Sequence, residues 1–93
     1  DMEEIFSVIA KQSHKIVKSM REDGFKGFRT IVLTMRFADF ETLSRSLTVK
    51  ESLETAAELE LKGIKLALPF FDSRENPQKK RIRLVGLRIE KLV

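Results

Sequence analysis

Arg29-Thr30-Ile31-Val32-Leu33-Thr34-Met35-Arg36-Phe37 is the stretch on which the fold turns. Its odd positions Ile31, Leu33, Met35 and Phe37 are apolar, and its even positions Thr30, Thr34 and Arg36 are mostly polar. A two-residue period of this kind predicts a half-buried strand. The residues before it keep a different period. Met2, Ile5, Phe6, Ile9, Ser13, Ile16, Val17 and Met20 recur at three- and four-residue steps, which predicts a helix over 2–22, with Asp1 as N-cap and Gly24 just past its end.

Downstream, Ala38-Asp39 can turn the chain into a second strand over roughly Glu41–Leu47, with Leu43 and Leu47 inward. Thr48 and Glu51 have capping-box spacing and predict a second helix, its buried stripe formed by Leu53, Ala57, Leu61, Ile64 and Leu68 and its end set by Pro69. Asp72 to Lys79 reads as a polar loop around Asn76-Pro77. The last strand, Lys80–Leu92, contains a slip of phase. Ile82 and Leu84 alternate inward, but the next apolar residues are Leu87 and Ile89. A β-bulge at Val85-Gly86 repairs the slip and points Arg81, Arg83 and Arg88 away from the core, where burying an unpaired guanidinium would be costly.

The order helix, strand, strand, helix, strand predicts an α+β two-layer sandwich, an antiparallel sheet with both helices on one face. The opposite face is expected to carry Thr30, Thr34, Arg36, Ser44, Ser46, Arg81, Arg83 and Arg88, polar, basic and short of carboxylates. Charge follows the same division. Residues 25–48 carry four basic and two acidic side chains and residues 74–93 seven and two, so the net +4 collects in the strand segments. Arginine and lysine attract phosphate, and serine and threonine hydroxyls add short hydrogen bonds to its oxygens. The expected partner is therefore a nucleic-acid backbone; the competing expectation is an α+β interaction module whose basic face meets an acidic protein.

Other chemistries find little support. With 93 residues the chain is one domain, 1–93, and its 42% apolar and 34% charged composition is globular. It has no cysteine, one histidine (His14, on a polar helix position), no glycine-rich phosphate loop and no metal-ligand spacing. We expect no catalytic residue, no metal and no cofactor in this domain. No membrane span or secretory signal is visible, and an intracellular, cytoplasmic protein is expected. The start on Asp1, running at once into helical patterning, suggests a piece of a longer protein.

Two stretches bear a resemblance. Leu33-Thr34-Met35-Arg36-Phe37-Ala38-Asp39-Phe40, continuing to Leu43-Ser44-Arg45-Ser46-Leu47-Thr48, resembles a hairpin of DinB-type, polymerase IV-like translesion polymerases; Arg81 to Ile89 resembles the strand that closes the same domain. That domain is the little finger, or polymerase-associated domain, of the Y-family DNA polymerases. The resemblance implies a sequence-independent grip on the backbones of primer–template DNA during translesion synthesis. It also implies contacts with other domains of the parent polymerase and catalysis elsewhere, in a parent that uses Mg²⁺. It assigns DNA contact to Ser44, Arg45, Ser46, Arg81, Arg83 and Arg88; Thr34 and Arg36 join them by the facing argument. Strict alternation puts Arg45 between inward Leu43 and Leu47, so either a local bulge turns it out or its contact role is wrong. The family fold is β-α-β-β-α-β, so this chain lacks the first strand. Its slot is expected between the last strand and the second hairpin strand, open to a strand borrowed from another chain, as in a strand-swapped oligomer. Leu68-Pro69-Phe70-Phe71 is expected to pack into the core at the helix end. Paired phenylalanines also end sliding-clamp peptides, but Ile64 stands where those carry glutamine.

Overall fold

The computed structural model describes residues 2–72 and 74–93; Asp1, expected as an N-cap, lies outside them. The expected order is present: α1 (Met2–Glu22), β1 (Phe28–Phe37), β2 (Thr42–Leu53), α2 (Ala56–Ala67) and β3 (Ile82–Glu90), with a 3-10 turn at Leu68–Phe71 after α2. The strands form one antiparallel sheet in the order β2-β1-β3.

The central place goes to the most apolar strand. Ile31, Leu33, Met35 and Phe37 on its helix side are buried, and so are Thr30 and Val32 on the other. A strand apolar enough to need neighbours on both edges is flanked by β2 and β3. This overturns the placement of the absent strand: β3 bonds to β1, not across a gap to β2, so the sheet contains no internal slot. The argument for borrowing a strand there goes with it. The outer edge of β3 is occupied in another way. The Gln12 side chain of α1 donates to the Val85 carbonyl (3.1 Å) and accepts from the Leu87 N–H (2.8 Å), standing in for a stretch of ladder.

Both helices cover one face. α1 buries Ile9, Ser13, Val17 and Met20; Ser13 is satisfied within the helix, its hydroxyl donating to the Ile9 carbonyl at 2.7 Å. α2 differs from its expected stripe. It buries Leu59, Gly63 and Ala67, whereas Leu61 and Leu68 are exposed. The chain offers Thr-x-x-Glu twice, and the second copy is the cap: Thr55 accepts from the Glu58 N–H, and Glu58 accepts from the Thr55 N–H, both at 3.1 Å. Thr48 and Glu51 stay in β2, whose alternation runs on to Leu53. The face that packs carries Leu59 together with the small residues Gly63 and Ala67. A Cβ on Gly63 would lie 3.1 Å from Ile9 Cγ2 and 3.3 Å from Leu87, so the small side turns inward because α2 sits close upon α1 and β3.

The core has two joined parts. Ile9, Leu33, Met35, Phe37, Ala67, Phe70 and Val85 fill one end; Val17, Met20, Phe28, Ile31 and Leu59 fill the other. The Leu68–Phe71 turn belongs to the first: Phe70 lies 6.2 Å from the Phe37 ring, and Phe71 meets Phe6 edge-on at 5.9 Å. The loop to β3 is held by buried Asn76, which donates to the Phe70 and Lys80 carbonyls and accepts from the Lys80 N–H.

β3 has a bulge, but not at Val85-Gly86. Pairing steps from Arg36↔Leu84 to Phe37↔Ile82, so the extra residue is Arg83. Val85 is buried opposite Met35, and Leu84 turns outward. Leu87, Ile89 and Arg88 face as expected because either position of the bulge restores their phase. Gly86 is then an ordinary strand residue with open space where a Cβ would be, whereas a Cβ on Gly27 would meet the Leu53 carbonyl oxygen at 2.6 Å. We expect Gly27→Ala to lower stability in urea unfolding by about 1–3 kcal/mol, the range for forcing atoms into a closed site. Gly86→Ala should leave the midpoint unchanged or raise it.

Candidate nucleic-acid interface

The face of the sheet without helices is a grid fixed by strand register. Across β2, β1 and β3 its rows read Thr42–Arg36–Leu84, Ser44–Thr34–Gly86, Ser46–Val32–Arg88 and Thr48–Thr30–Glu90. Adjacent hydroxyls bond across the strands, Thr30 with Thr48 at 2.8 Å and Thr34 with Ser44 at 3.1 Å; Arg36 Nε donates to Thr42 Oγ1 at 3.2 Å. Each hydroxyl keeps capacity for a further partner, since it has one donor and two lone pairs.

Of the expected site residues, Thr34, Arg36, Ser44, Ser46 and Arg88 come together on this grid. Three arginines go elsewhere. Arg45 points to the helix side: its pairing with Leu33 is regular, without a bulge, and it forms an ion pair with Glu75 close to the Phe70 ring. Arg81 precedes β3 and lines an open cavity of about 350 Å³ with Met2, Ile5 and Phe71. Arg83, in the bulge, lays its guanidinium 4.6 Å from the centroid of the Phe40 ring. The face is also not free of carboxylates. Glu90 stands two residues from Arg88 on the same side; its carboxylate accepts from Arg88 Nε at 3.0 Å, with a terminal guanidinium nitrogen also 3.0 Å from the same oxygen. Thr42 and Thr48 complete the hydroxyl column; the hairpin register, once known, would have found them.

The hairpin end of the grid is clamped. Lys80 reaches Asp39 at 2.8 Å and Glu41 at 3.4 Å while lying 5.8 Å from the Phe37 ring. The Ala38 N–H donates to the Arg81 carbonyl at 2.8 Å. Lys80, and after it the Glu41 N–H, hold the Asp39 carboxyl below its usual range, and Asp39 in turn raises the Lys80 ammonium above its own. Among the described residues no group of three or more histidine or carboxylate side chains could hold a metal ion, and no helix is long and apolar enough to cross a membrane.

The impB/mucB/samB family C-terminal domain matches the chain over residues 1–93. The chain belongs to this family. DNA polymerase IV of Streptococcus pyogenes serotype M28 is 39% identical over 79 residues, covering 84% of the chain and 20% of that protein. DNA polymerase kappa of Caenorhabditis elegans is 25% identical over 92 residues, 95% of the chain and 14% of that protein. The chain thus spans a fifth or less of these curated relatives. The domain is the Y-family little finger that the two motifs resemble, an accessory domain of polymerases.

The clamp gives this little finger a two-sided pH response. With a depressed pKa in the fold, Asp39 contributes stability above its unfolded pKa, and the contribution is lost as pH falls through the folded value. Lys80, raised, contributes below its unfolded pKa and loses that contribution as pH rises through the folded one. In NMR titrations the Ala38 and Glu41 amide signals should move in both windows, and Asp39→Asn should diminish the acid-side movement of the Ala38 signal.

Proposed function

We propose that this little finger grips the sugar–phosphate backbones of primer–template DNA for a Y-family polymerase and is not itself a catalyst. The observation that carries this reading is the helix-free grid, where two arginines and a column of hydroxyls stand in fixed register on one sheet face. Phosphate contacts of this kind position a protein on a duplex without reading its sequence. Catalysis, with its Mg²⁺, falls to other domains of the parent polymerase, an intracellular enzyme with which the little finger shares its duplex. The names of the relatives, DNA polymerase IV and DNA polymerase kappa, support the same assignment.

Binding to primer–template duplexes, titrated with salt, tests it. Arg36→Gln and Arg88→Gln should each weaken binding to unrelated sequences alike and reduce the slope of log affinity against log salt by about one. Unchanged affinity and slope in the double variant would remove the phosphate grip and favour a module for acidic proteins.

Glu90 supplies an opposite prediction. In the free domain it holds the Arg88 guanidinium that a phosphate would need. An exposed ion pair of this kind is worth about 0–1 kcal/mol, so Glu90→Gln should tighten duplex binding up to about fivefold. In an Arg88→Gln background the same change should gain less.

A further inference from the structure

Phe40 is unusual on three counts. It lies at the tip of the β1–β2 hairpin with φ at 69°, a left-handed conformation that favours glycine or asparagine. Its ring is a large apolar surface 61% exposed. Its described ring contact is the Arg83 guanidinium, 4.6 Å from its centroid. Backbone strain and apolar exposure together gain nothing for the core. The bulge repeats the pattern, presenting Arg83 and Leu84 consecutively, and Leu84 is 59% exposed opposite Arg36. Bulges commonly re-aim side chains beside functional sites. Here the result is an aromatic ring and a guanidinium group beside the end of the grid where Arg36 and Leu84 stand.

We propose that Phe40 and Arg83 form a stacking platform for an unpaired nucleobase, where a single strand leaves the duplex held by the grid. The inference rests on the phosphate-grip reading and extends it from backbone to base. A flat ring braced on one side by a guanidinium offers its other side to a base, and stacking of this kind tolerates any sequence because every base has a π-face. Arg83 and Arg36 supply positive charge for the phosphates flanking that base, and the nearby carboxylates of Asp39 and Glu41 are both turned to Lys80. This charge favours a nucleic-acid strand over an apolar protein segment as the occupant.

Fluorescence anisotropy with the 93-residue chain and three probes tests the platform: a blunt duplex, the same duplex with a single-stranded tail, and the tail alone. The tail should add affinity. Phe40→Ala should remove that gain, weakening the tailed probe about tenfold while the blunt duplex stays within about twofold and the salt slope holds. Phe40→Leu, apolar but without a π-face, should behave like alanine. Superimposable thermal melts would confirm that all variants fold. Equal binding of tailed and blunt probes by the unaltered chain, equal losses on both probes, or full binding by Phe40→Leu would each overturn the platform. The two readings fail separately. Salt-dependent blunt-duplex binding with no gain from the tail keeps the grip and removes the platform; Phe40-dependent binding of the tail alone, without duplex binding, does the reverse.

Discussion

Everything in this domain depends on the two-sided hydrogen bonding of β1. Its backbone is paired on both edges, and with a strand on each side Thr30 and Val32 are buried on the helix-free side as well. A central strand so constrained fixes the register of β2 and β3, and the register fixes the grid. The helices then have one face left to cover. What remains is an open surface whose side chains are positioned by main-chain geometry rather than by their own packing, which suits contact with a regular polymer.

The grid is electrostatically moderate rather than strongly positive. Arg88 already has Glu90, Arg36 already has Thr42, and the hydroxyls bond with one another. A surface that satisfies itself when empty holds its side chains in place before a ligand arrives, so less rotamer freedom is lost on binding. The same arrangement keeps the attraction modest. The mix of hydroxyls with few free cations offers contacts that are individually weak and mutually replaceable.

How much of this could be read from the sequence varies with the residues concerned. α1 and β1 were legible because their periods are long and unbroken, and the α+β class followed from the change of period between them. Residues 48–53 were not. Thr48-x-x-Glu51 has the spacing of a cap, but the same residues continue a strand's alternation, and the second Thr-x-x-Glu decides the matter only when tertiary contacts choose between them. The buried side of α2 was hidden for a related reason: Gly63 and Ala67 carry little hydrophobic signal, and only the closeness of a neighbouring helix explains their burial. For β3 the need for a bulge was legible and its position was not, since placing it at Arg83 or at Gly86 leaves the later residues in the same phase. Of the expected site residues, Thr34, Arg36, Ser44, Ser46 and Arg88 face the helix-free side as expected, the first four by alternation and Arg88 by the bulge. Arg45 obeyed its alternation and went inward, where Glu75 meets it; Arg81 and Arg83 stand at an irregularity that periodicity does not resolve.

Gln12 adds a polar tie between α1 and β3, which already share the core through Ile9, Val85 and Leu87. Its carboxamide presents one donor and one acceptor at the spacing of a peptide group, so β3 meets at that point a side chain that cannot propagate a ladder. A new strand approaching that edge would have to dislodge the amide and so disturb α1. At Val85 and Leu87 the molecule thereby exchanges an adhesive border for one that terminates itself, while the outer edge of β2 remains the sheet's other border.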